Sequence, residues 1–246
     1  LTVMYHRYLN IKKEDPKWED RDRFILSKGH AGIAYAPVLC DFGYNDPEQL
    51  KTFNLTNSKM GIHLDSNKVA GVDASTGSLG HGIPIAAGTA IAARVLGKDY
   101  YTYVVTGDGE LDEGSNWEGL MTIRHYNLTN CITIVDRNHC MIDGNTEDVM
   151  KHEPLADKFV AFGFHTIVCE GNNIVSLCKA IDEAHKTKDK PTVIVADTIK
   201  GVGIKLTSGN YKWHYGAIDE EMAKVAAKDL DEYSAERIAR CGKEFE

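Results

Sequence analysis

The chain has 246 residues, enough for one large α/β domain with a full hydrophobic core. Its 36 acidic residues outnumber its 28 basic residues, and the net charge of −8 argues against a nucleic-acid-binding surface. No apolar run reaches the roughly 18 residues of a membrane helix, so no membrane association is expected. The six cysteines form no Cys-x-x-Cys pair and several lie among apolar residues, which indicates free thiols in a reducing cytoplasm.

Strands and helices are predicted to alternate along the chain. Residues 1–9 read as the end of an apolar helix that begins before the first residue, and a charged surface loop follows at 11–23. The next predicted elements are a strand at 24–27, a helix at 31–42, a helix that starts at Pro47 with Asp46 as its cap, a glycine-rich turn at 71–82, a small-residue helix at 83–96, a strand at 101–106, a helix at 113–126 and a strand at 131–135. After these come an irregular stretch at 143–153, a strand at 165–169, a helix at 174–186, a strand at 192–197, a loop at 200–213 and a short helix at 219–227.

This order predicts an α/β fold with a mostly parallel sheet. One domain is predicted over residues 1–230, because no repeat, low-complexity tract or linker divides it. Residues 231–246 are largely charged and are predicted to form a flexible tail.

A Gly-Asp-Gly turn at 107–109 is the most informative feature of the sequence. It ends the apolar strand at 101–106, and Asn138 follows thirty positions after Asp108, just beyond the strand at 131–135. The polar oxygens therefore stand at the carboxyl ends of two neighbouring strands, where open α/β sheets bind ligands.

The chemistry of this turn predicts a site for Mg²⁺ and a diphosphate. Glycines at 107 and 109 allow backbone N–H groups to approach a phosphate, and the following helix N-terminus favours its charge. Asp108 and Asn138 supply the hard oxygen ligands that Mg²⁺ takes beside substrate phosphates. By itself Gly-Asp-Gly is more often an ordinary turn. The glycine spacing does not fit the dinucleotide fingerprint, and no Gly-Lys-Ser/Thr closes a P-loop.

Four motifs together resemble those of the transketolase family. Gly-Asp-Gly, about thirty residues and then Asn is the pattern of thiamin diphosphate enzymes. The stretches similar to the N-terminal, diphosphate-binding part of transketolase are 18–30, 71–80, 107–117 with 138–144, and 200–203, in the family's order. The resemblance covers roughly residues 1–228 and implies the thiamin-diphosphate-binding fold, with helices on both faces of the sheet.

The resemblance implies a metal and cofactor site. Asp108, Asn138 and the backbone carbonyl of Cys140 would hold Mg²⁺, or Ca²⁺ or Mn²⁺ in its place. The residues expected to bind thiamin diphosphate are Gly109 through its N–H with Glu110 beside it, His30 and His214 at the diphosphate, Gly77 at the pyrimidine, Leu79 and Ile142 at the thiazolium, and Asn138. Glu113 matches a carboxylate at the subunit interface, although an acid at a helix start is also favoured by the helix dipole alone.

Three histidines are expected to take part in catalysis. His30 and His214 match family histidines, and His63 stands where the family has the histidine of Gly-His-Pro, although Ile62 precedes it here and the proline is absent. Histidines near neutral pKa suit the movement of hydroxyl protons. His81 replaces a family glutamine and is a weak candidate. The remaining histidines are expected to have no such role: His6, His125, His139, His152, His165 and His185.

Two parts of the family's site are not expected on this chain. A substrate-contacting Ser-Gly-His loop lies upstream in the family, so an N-terminal segment is predicted to be missing. The glutamate that activates the cofactor lies on the family's pyrimidine-binding domain. A separate subunit is therefore expected to supply it, as in two-gene transketolases. The family's two-fold interface points to an α₂β₂ tetramer, with residues 83–94 and the acids at 110–113 as the self-association surface.

The predicted function is transfer of a two-carbon ketol unit from a ketose to an aldose, either of which can be a phosphate. Three alternatives stay open. Another thiamin diphosphate enzyme, such as a ketoacid dehydrogenase subunit or deoxyxylulose-phosphate synthase, would share only part of the motif set. The same chemistry on a sulfonated or branched ketose is compatible with Ile62 and His81. A non-catalytic paralogue that regulates or scaffolds would not need a complete site.

Overall fold

A five-stranded parallel sheet forms the centre of the computed structural model, which describes residues 1–244 and the side chains of residues 1–239. The strands along the chain are β1 (Arg23–Leu26), β2 (Thr102–Gly107), β3 (Cys131–Arg137), the two-residue strands β4 (Cys140–Met141) and β5 (Gly144–Asn145), β6 (His165–Glu170) and β7 (Thr192–Asp197). The sheet order is β1-β2-β3-β7-β6, and every neighbouring pair is parallel. Strands β4 and β5 form a separate antiparallel hairpin.

Among the described residues, seven α-helices accompany the sheet. They are α1 (Gly32–Phe42), α2 (Gly82–Val95), α3 (Gly114–His125), α4 (Thr146–Val149), α5 (Leu155–Ala161), α6 (Ile174–Lys186) and α7 (Glu220–Glu244). Short 3₁₀ turns are found at Gly29–Ala31, Pro47–Thr52, Gly109–Asp112 and Tyr211–His214, and a π-helix at Met4–Tyr8. Within the described part of the chain, no helix combines the length and apolar character needed to cross a membrane.

Helices cover both faces of the sheet, as expected from the strands' apolar sequences. Successive side chains of a strand point to opposite faces. Tyr103 accordingly joins a buried cluster with α1 and α6, whereas its neighbour Val104 joins the cluster formed with α2, α3 and α5. Burial on both faces explains the nearly continuous apolar runs of β2, β3 and β7. The predicted fold class is confirmed.

The small residues of α2 allow this helix to pack closely against α3. Ala86 and Ala90 are fully buried. On α3, a Cβ added to Gly119 would lie only 3.0 Å from Cγ2 of Ile83. A larger residue at Gly119 would therefore push α3 away from α2 and disturb the position of its N-terminus, which borders the site.

The carboxyl ends of four strands meet along one edge of the sheet. Leu26 at the end of β1 lies opposite Val105, and Gly107 at the end of β2 lies opposite Asp136. Arg137 at the end of β3 lies opposite Asp197 at the end of β7. The loops after these strands, which carry most of the predicted site residues, therefore open on the same side.

Several predicted elements agree with the structure within a few residues, and others differ. The predicted helices at 31–42, 83–96, 113–126 and 174–186 correspond to α1, α2, α3 and α6. Asp46 caps the 3₁₀ turn that begins at Pro47, where its carboxylate accepts the Glu48 N–H at 3.0 Å. Helix α5 was not predicted, because its seven residues show too little periodicity to be recognised.

The prediction that the last helix is short and ends at residue 227 is wrong. Helix α7 continues through this region to Glu244, and residues 245 and 246 lie outside the described part of the chain. Its glutamate, lysine, alanine and arginine residues favour a helix whether or not it has an apolar face. The flexibility of the charged tail stays a prediction. The domain boundary at 230 stays a prediction.

Candidate active site

Asp108 lies at the centre of the carboxyl edge. It follows β2, caps the short 3₁₀ turn Gly109–Asp112, and is 1% exposed. One carboxylate oxygen, Oδ1, accepts the Gly109 N–H at 2.8 Å. The other, Oδ2, accepts the His139 N–H at 2.7 Å and a guanidinium N–H of Arg137 at 2.9 Å. The side chain is therefore fixed in one orientation before any ligand binds.

The turn after β3 wraps around this carboxylate. His139 has a φ of 62°, an unusual value for a non-glycine residue, and this conformation directs its backbone N–H at Asp108. Asn138 is half-buried, and its Oδ1 accepts the Cys140 N–H at 3.0 Å. An amide oxygen has a second lone pair, so Asn138 keeps an acceptor position for a cation. The structure thus brings Asp108, Asn138 and the start of β4 together.

His30 and His214 come together from distant parts of the chain. Their ring centroids are 5.1 Å apart, with His30 in the 3₁₀ turn after β1 and His214 at the end of the loop after β7. Burial, the charge of His214 and the charge of Lys28 lower the pKa of His30 to about 4. Burial and the charges of Lys200 and Lys28 also lower the pKa of His214. Both imidazoles are therefore neutral at neutral pH in the ligand-free protein.

Two lysines belong to the same site although the sequence interpretation gave them no role. The ammonium of Lys28 forms an ion pair with Asp136 at the end of β3. Lys200, in the loop after β7, is half-buried, and burial lowers its pKa; Cys140 opposes this effect and the charge of Lys28 adds to it. Both lie inside motifs that were recognised, Ser-Lys-Gly-His and Lys-Gly-Val-Gly. Their position directly after strand ends was the signal that could have identified them.

His63 packs against the glycine-rich segment. A Cβ added to Gly77 would lie 2.7 Å from Cδ2 of the His63 ring, so only glycine leaves this ring its place. The backbone of Gly77 also has a φ of 155°, which other residues rarely adopt. His63 itself is exposed. The structure therefore places His63, the predicted substrate contact, against Gly77, the predicted pyrimidine contact.

Three other predicted residues differ in exposure. Ile142, in the hairpin loop between β4 and β5, is 63% exposed, whereas Leu79 is half-buried. Glu113 is exposed at the N-terminus of α3 and lies beside Gly80, where an added Cβ would meet its Cβ at 2.6 Å. Their predicted contacts with the thiazolium and with a second subunit stay predictions.

The side chain of Glu110 points into the protein interior, whereas the resemblance implied that it binds the cofactor. It is 4% exposed, and both oxygens of its carboxylate accept hydrogen bonds. Oε1 accepts from the Ser27 hydroxyl and from the Gly80 N–H at 3.0 Å. Oε2 accepts from the Thr106 hydroxyl at 2.8 Å and from the Gly107 N–H at 3.1 Å. With both oxygens engaged, this carboxylate holds three segments of the site together, and a direct cofactor contact no longer fits it.

The histidines expected outside the site make other contacts. The contacts are His6 with Asp41, His165 with Glu183, His185 with Tyr103, His139 with Asp197, and buried His152 near Asp112. His81 and His125 are exposed. None of these rings lies with the pair formed by His30 and His214.

The residues present fit a metal-bound diphosphate by their donor chemistry. Asp108 and Asn138 each keep an oxygen position, and hard oxygen donors suit Mg²⁺. Nδ1 of His214 is buried without a hydrogen-bond partner among the described residues, as expected for a group that completes its contacts with a ligand. Among the described residues, no cluster of three or more His, Cys, Asp or Glu side chains could hold a metal. The predicted set is of another kind, with one carboxylate, one amide and one backbone carbonyl.

Comparison with protein families and curated proteins gives a consistent result. The family model described as "Transketolase, thiamine diphosphate binding domain" matches residues 1–234. The chain is 40% identical over 230 residues to an apulose-4-phosphate transketolase subunit from Actinobacillus succinogenes, covering 94% of this chain and 83% of that protein. It is 37% identical over 235 residues to 6-deoxy-6-sulfo-D-fructose transketolase subunit SqwG from a Clostridium species, covering 96% of this chain and 86% of that protein.

Solved structures of larger transketolases share the fold. The transketolase from Campylobacter jejuni superposes with a TM-score of 0.86 at 31% identity, over 94% of this chain and 37% of that chain. The transketolase from Leishmania mexicana superposes with a TM-score of 0.83 at 33% identity, over 96% of this chain and 40% of that chain. The chain thus spans well under half of these solved transketolases. It belongs to the transketolase family, in which it represents the thiamine diphosphate binding domain.

Proposed function

We propose that this chain is the diphosphate-binding subunit of a split transketolase, a transferase that moves a two-carbon ketol unit from a ketose to an aldose. One observation carries the proposal. The paired rings of His30 and His214 lie with Lys28 and Lys200 at the same sheet edge as Asp108. Positive charge, neutral imidazoles and hard oxygen ligands in one place suit a metal-bound diphosphate with hydroxylated sugars beside it.

The cofactor would be held from two sides. Asp108, Asn138 and the Cys140 carbonyl would hold Mg²⁺, for which Ca²⁺ or Mn²⁺ can stand in, at the ends of β2 and β3. Gly109, where an added Cβ would lie only 2.9 Å from Cβ of Met141, would bind the diphosphate through its N–H group, which donates to Asp108 in the ligand-free protein. When bound, thiamin diphosphate supplies the nucleophilic carbon and the electron sink for carbon–carbon bond cleavage.

The histidines would orient and exchange the protons of substrate hydroxyl groups. His30 is neutral in the ligand-free protein, and the negative diphosphate beside it would raise its pKa towards neutrality. A group near neutral pKa can both accept and return a proton. His63 is exposed and packs on Gly77, so it stands where an entering sugar would pass over the glycine-rich segment.

The site needs a second polypeptide in this proposal. Both curated relatives described above are named as subunits of a transketolase, which supports a partner for this chain too. The partner would carry the glutamate that activates the cofactor. Self-association into an α₂β₂ tetramer would use α2 and the acids at 110–113. The free thiols of five described cysteines are consistent with a cytoplasmic location: Cys40, Cys131, Cys140, Cys169 and Cys178.

An unusual ketose is the favoured form of the donor substrate. The two relatives are named for apulose-4-phosphate and for 6-deoxy-6-sulfo-D-fructose. Ile62 and His81 depart from the transketolase pattern near the place where His63 meets Gly77. A changed sugar is a direct explanation for such departures beside otherwise complete metal and diphosphate ligands.

A coupled assay tests this function. The chain, its partner subunit, Mg²⁺ and thiamin diphosphate are mixed with branched, sulfonated and ordinary ketose donors, and ketol transfer to an aldose phosphate is followed by mass spectrometry. The expected result is cofactor-dependent transfer from one donor class, lost in Asp108→Ala. Cofactor binding without transfer from any donor would favour the non-catalytic paralogue. In a parallel reaction with a 2-keto acid in place of the ketose, decarboxylation would favour a different thiamin diphosphate enzyme.

A further inference from the structure

Arg137, the last residue of β3, is a buried cation that has no part in the function described so far. Its side chain is 3% exposed, and its guanidinium faces three carboxylates and one hydroxyl. Nη1 donates to Oδ2 of Asp108 at 2.9 Å and to Oγ1 of Thr146 at 2.5 Å. Nη2 donates to Oε1 of Glu147 at 2.8 Å and to Oε1 of Glu153 at 2.9 Å, and Nε donates to that same Glu153 oxygen at 3.1 Å.

The three carboxylates form two layers around this guanidinium. Asp108 is buried at 1% exposure, whereas the side chains of Glu147 and Glu153 are 37% and 54% exposed. The outer pair is itself fixed by backbone donors: Glu147 accepts the His152 N–H at 3.1 Å and Glu153 accepts the Leu155 N–H at 2.8 Å. The guanidinium therefore joins the centre of the site to the segment that contains α4 and the start of α5.

The two oxygens of Asp108 are not equivalent. Oδ2 accepts from both Arg137 and the His139 N–H, which together fill its two lone-pair positions. Oδ1 accepts only from the Gly109 N–H among the described residues. One lone-pair position on Oδ1 is thus left for a cation, and the fixed Oδ2 prevents the carboxylate from rotating away from it.

The local charge also favours a cation beside Arg137. One guanidinium charge against the carboxylates of Asp108, Glu147 and Glu153 leaves two formal negative charges in the cluster. The outer carboxylates thereby offset the repulsion that a buried arginine would otherwise exert on a divalent ion. Lysine could not take this place, because one ammonium lacks the planar fork that contacts the buried and outer carboxylates at once.

We propose that Arg137 is a positioning residue for the metal. It locks Asp108 with Oδ1 towards the cation, and Glu147 and Glu153 hold the guanidinium in place from outside. The inference rests on the proposed function, because that function requires a metal between Asp108 and the diphosphate. It adds a residue that touches neither metal nor cofactor but sets the affinity for both.

Two changes test the inference in the full chain assembled with its partner subunit. Arg137→Lys keeps the charge and removes the fork, and the double change Glu147→Gln with Glu153→Gln loosens the guanidinium from outside. The measured quantity is the Mg²⁺ concentration that gives half-maximal binding of thiamin diphosphate, followed by calorimetry. Loss of a residue that orients a metal ligand raises such a requirement about tenfold or more. Arg137→Lys is expected to show this increase, and the double variant a smaller one in the same direction.

Two further measurements separate positioning from a general structural role. The melting temperature without ligands should change little in the double variant, and saturating Mg²⁺ should restore its cofactor affinity, since only the metal step is weakened. Glu48→Gln is the control, because it neutralises a surface carboxylate that pairs with Lys51 at 2.6 Å. An unchanged Mg²⁺ requirement in Arg137→Lys and in the double variant would overturn the inference. Absence of Mg²⁺-dependent binding in the unmodified protein would instead overturn the proposed function.

Discussion

Glu110 accepts a hydrogen bond from the backbone N–H of Gly80 at 3.0 Å, in a place sealed from solvent. The same carboxylate accepts from Ser27 after β1 and from Gly107 at the end of β2. Three segments that carry site residues therefore meet on one side chain. Each carboxylate oxygen faces one backbone N–H, and a backbone donor cannot rotate away as a hydroxyl can.

Glu110→Gln should destabilise the protein although the two side chains have nearly the same shape. The new amide nitrogen would face either the Gly80 N–H or the Gly107 N–H, leaving two donors opposed in a buried place. An unsatisfied buried polar group costs about 1–3 kcal/mol. Urea unfolding should show a loss of this size, and Glu118→Gln on the exposed face of α3 should show none. Equal stability of the two variants would contradict the interpretation.

Asp108→Ala should abolish retention of thiamin diphosphate at micromolar concentration. The change removes a proposed metal ligand and also the acceptor that holds the turn after β3 through the His139 N–H. Calorimetry of the assembled protein with Mg²⁺ measures the effect. Asp99→Ala, at an exposed position before β2, is the matched control. Unchanged Mg²⁺-dependent binding in Asp108→Ala would contradict the metal assignment.

His63 and His30 should differ in what they contribute. His63→Ala should lower turnover or raise the Michaelis constant for the ketose with little change in cofactor affinity, because His63 is exposed and is proposed to contact the substrate. His30→Ala should weaken cofactor binding as well, because its ring lies against His214 in the proposed diphosphate site. Steady-state kinetics and cofactor titration separate the two, with His125→Ala as control. Full ketol transfer by His63→Ala would show that another residue contacts the substrate.

Much of the site could be predicted because many of its residues directly follow the ends of strands. The apolar runs of β2 and β3 gave the parallel pair, and parallel pairing alone brings Asp108 and Asn138 to one edge. The family motifs then assigned His30 and His214. Their ring centroids are 5.1 Å apart, although the two residues lie far apart in the sequence. Neither periodicity nor spacing could have shown this contact, since it depends on how the loop after β7 folds back.

Two residues, one expected in another role and one not predicted at all, act through side-chain orientation. Glu110 has the same composition signal as its neighbours Asp112 and Glu113, and only its 4% exposure separates it from them. In the sequence, Arg137 is only a polar residue near the end of a strand. In the structure, its guanidinium donates hydrogen bonds to the carboxylate of Asp108 and to a carboxylate of the segment around α4. Sequence patterns tell which face of an element is apolar. They do not tell which polar side chain turns inward to satisfy buried backbone donors.

The ligand-free protein should lose stability as the solution becomes acidic. The folded pKa of His30 is lowered to about 4 by burial and neighbouring charges, and that of His214 is also lowered. The unfolded chain therefore binds more protons once pH falls below about 6.5, and stability decreases between there and about pH 4. One proton accounts for under about 1.4 kcal/mol per pH unit. Urea unfolding at several pH values should show that the free energy of unfolding depends less steeply on pH in His30→Gln. The same slope as in the unmodified protein would contradict His30 as a source of this dependence.

Catalysis should require a second subunit, and this is the most direct test of the split architecture. The purified chain should bind Mg²⁺ and thiamin diphosphate weakly and should show neither ketol transfer nor exchange of the cofactor's C2 proton. The reason is chemical, since the activating glutamate and the walls of the pyrimidine pocket are expected on the partner. Adding the partner should restore both activities, and sedimentation should then give an assembly with two copies of each chain. C2 proton exchange by this chain alone, far above the rate of free cofactor, would contradict the proposal.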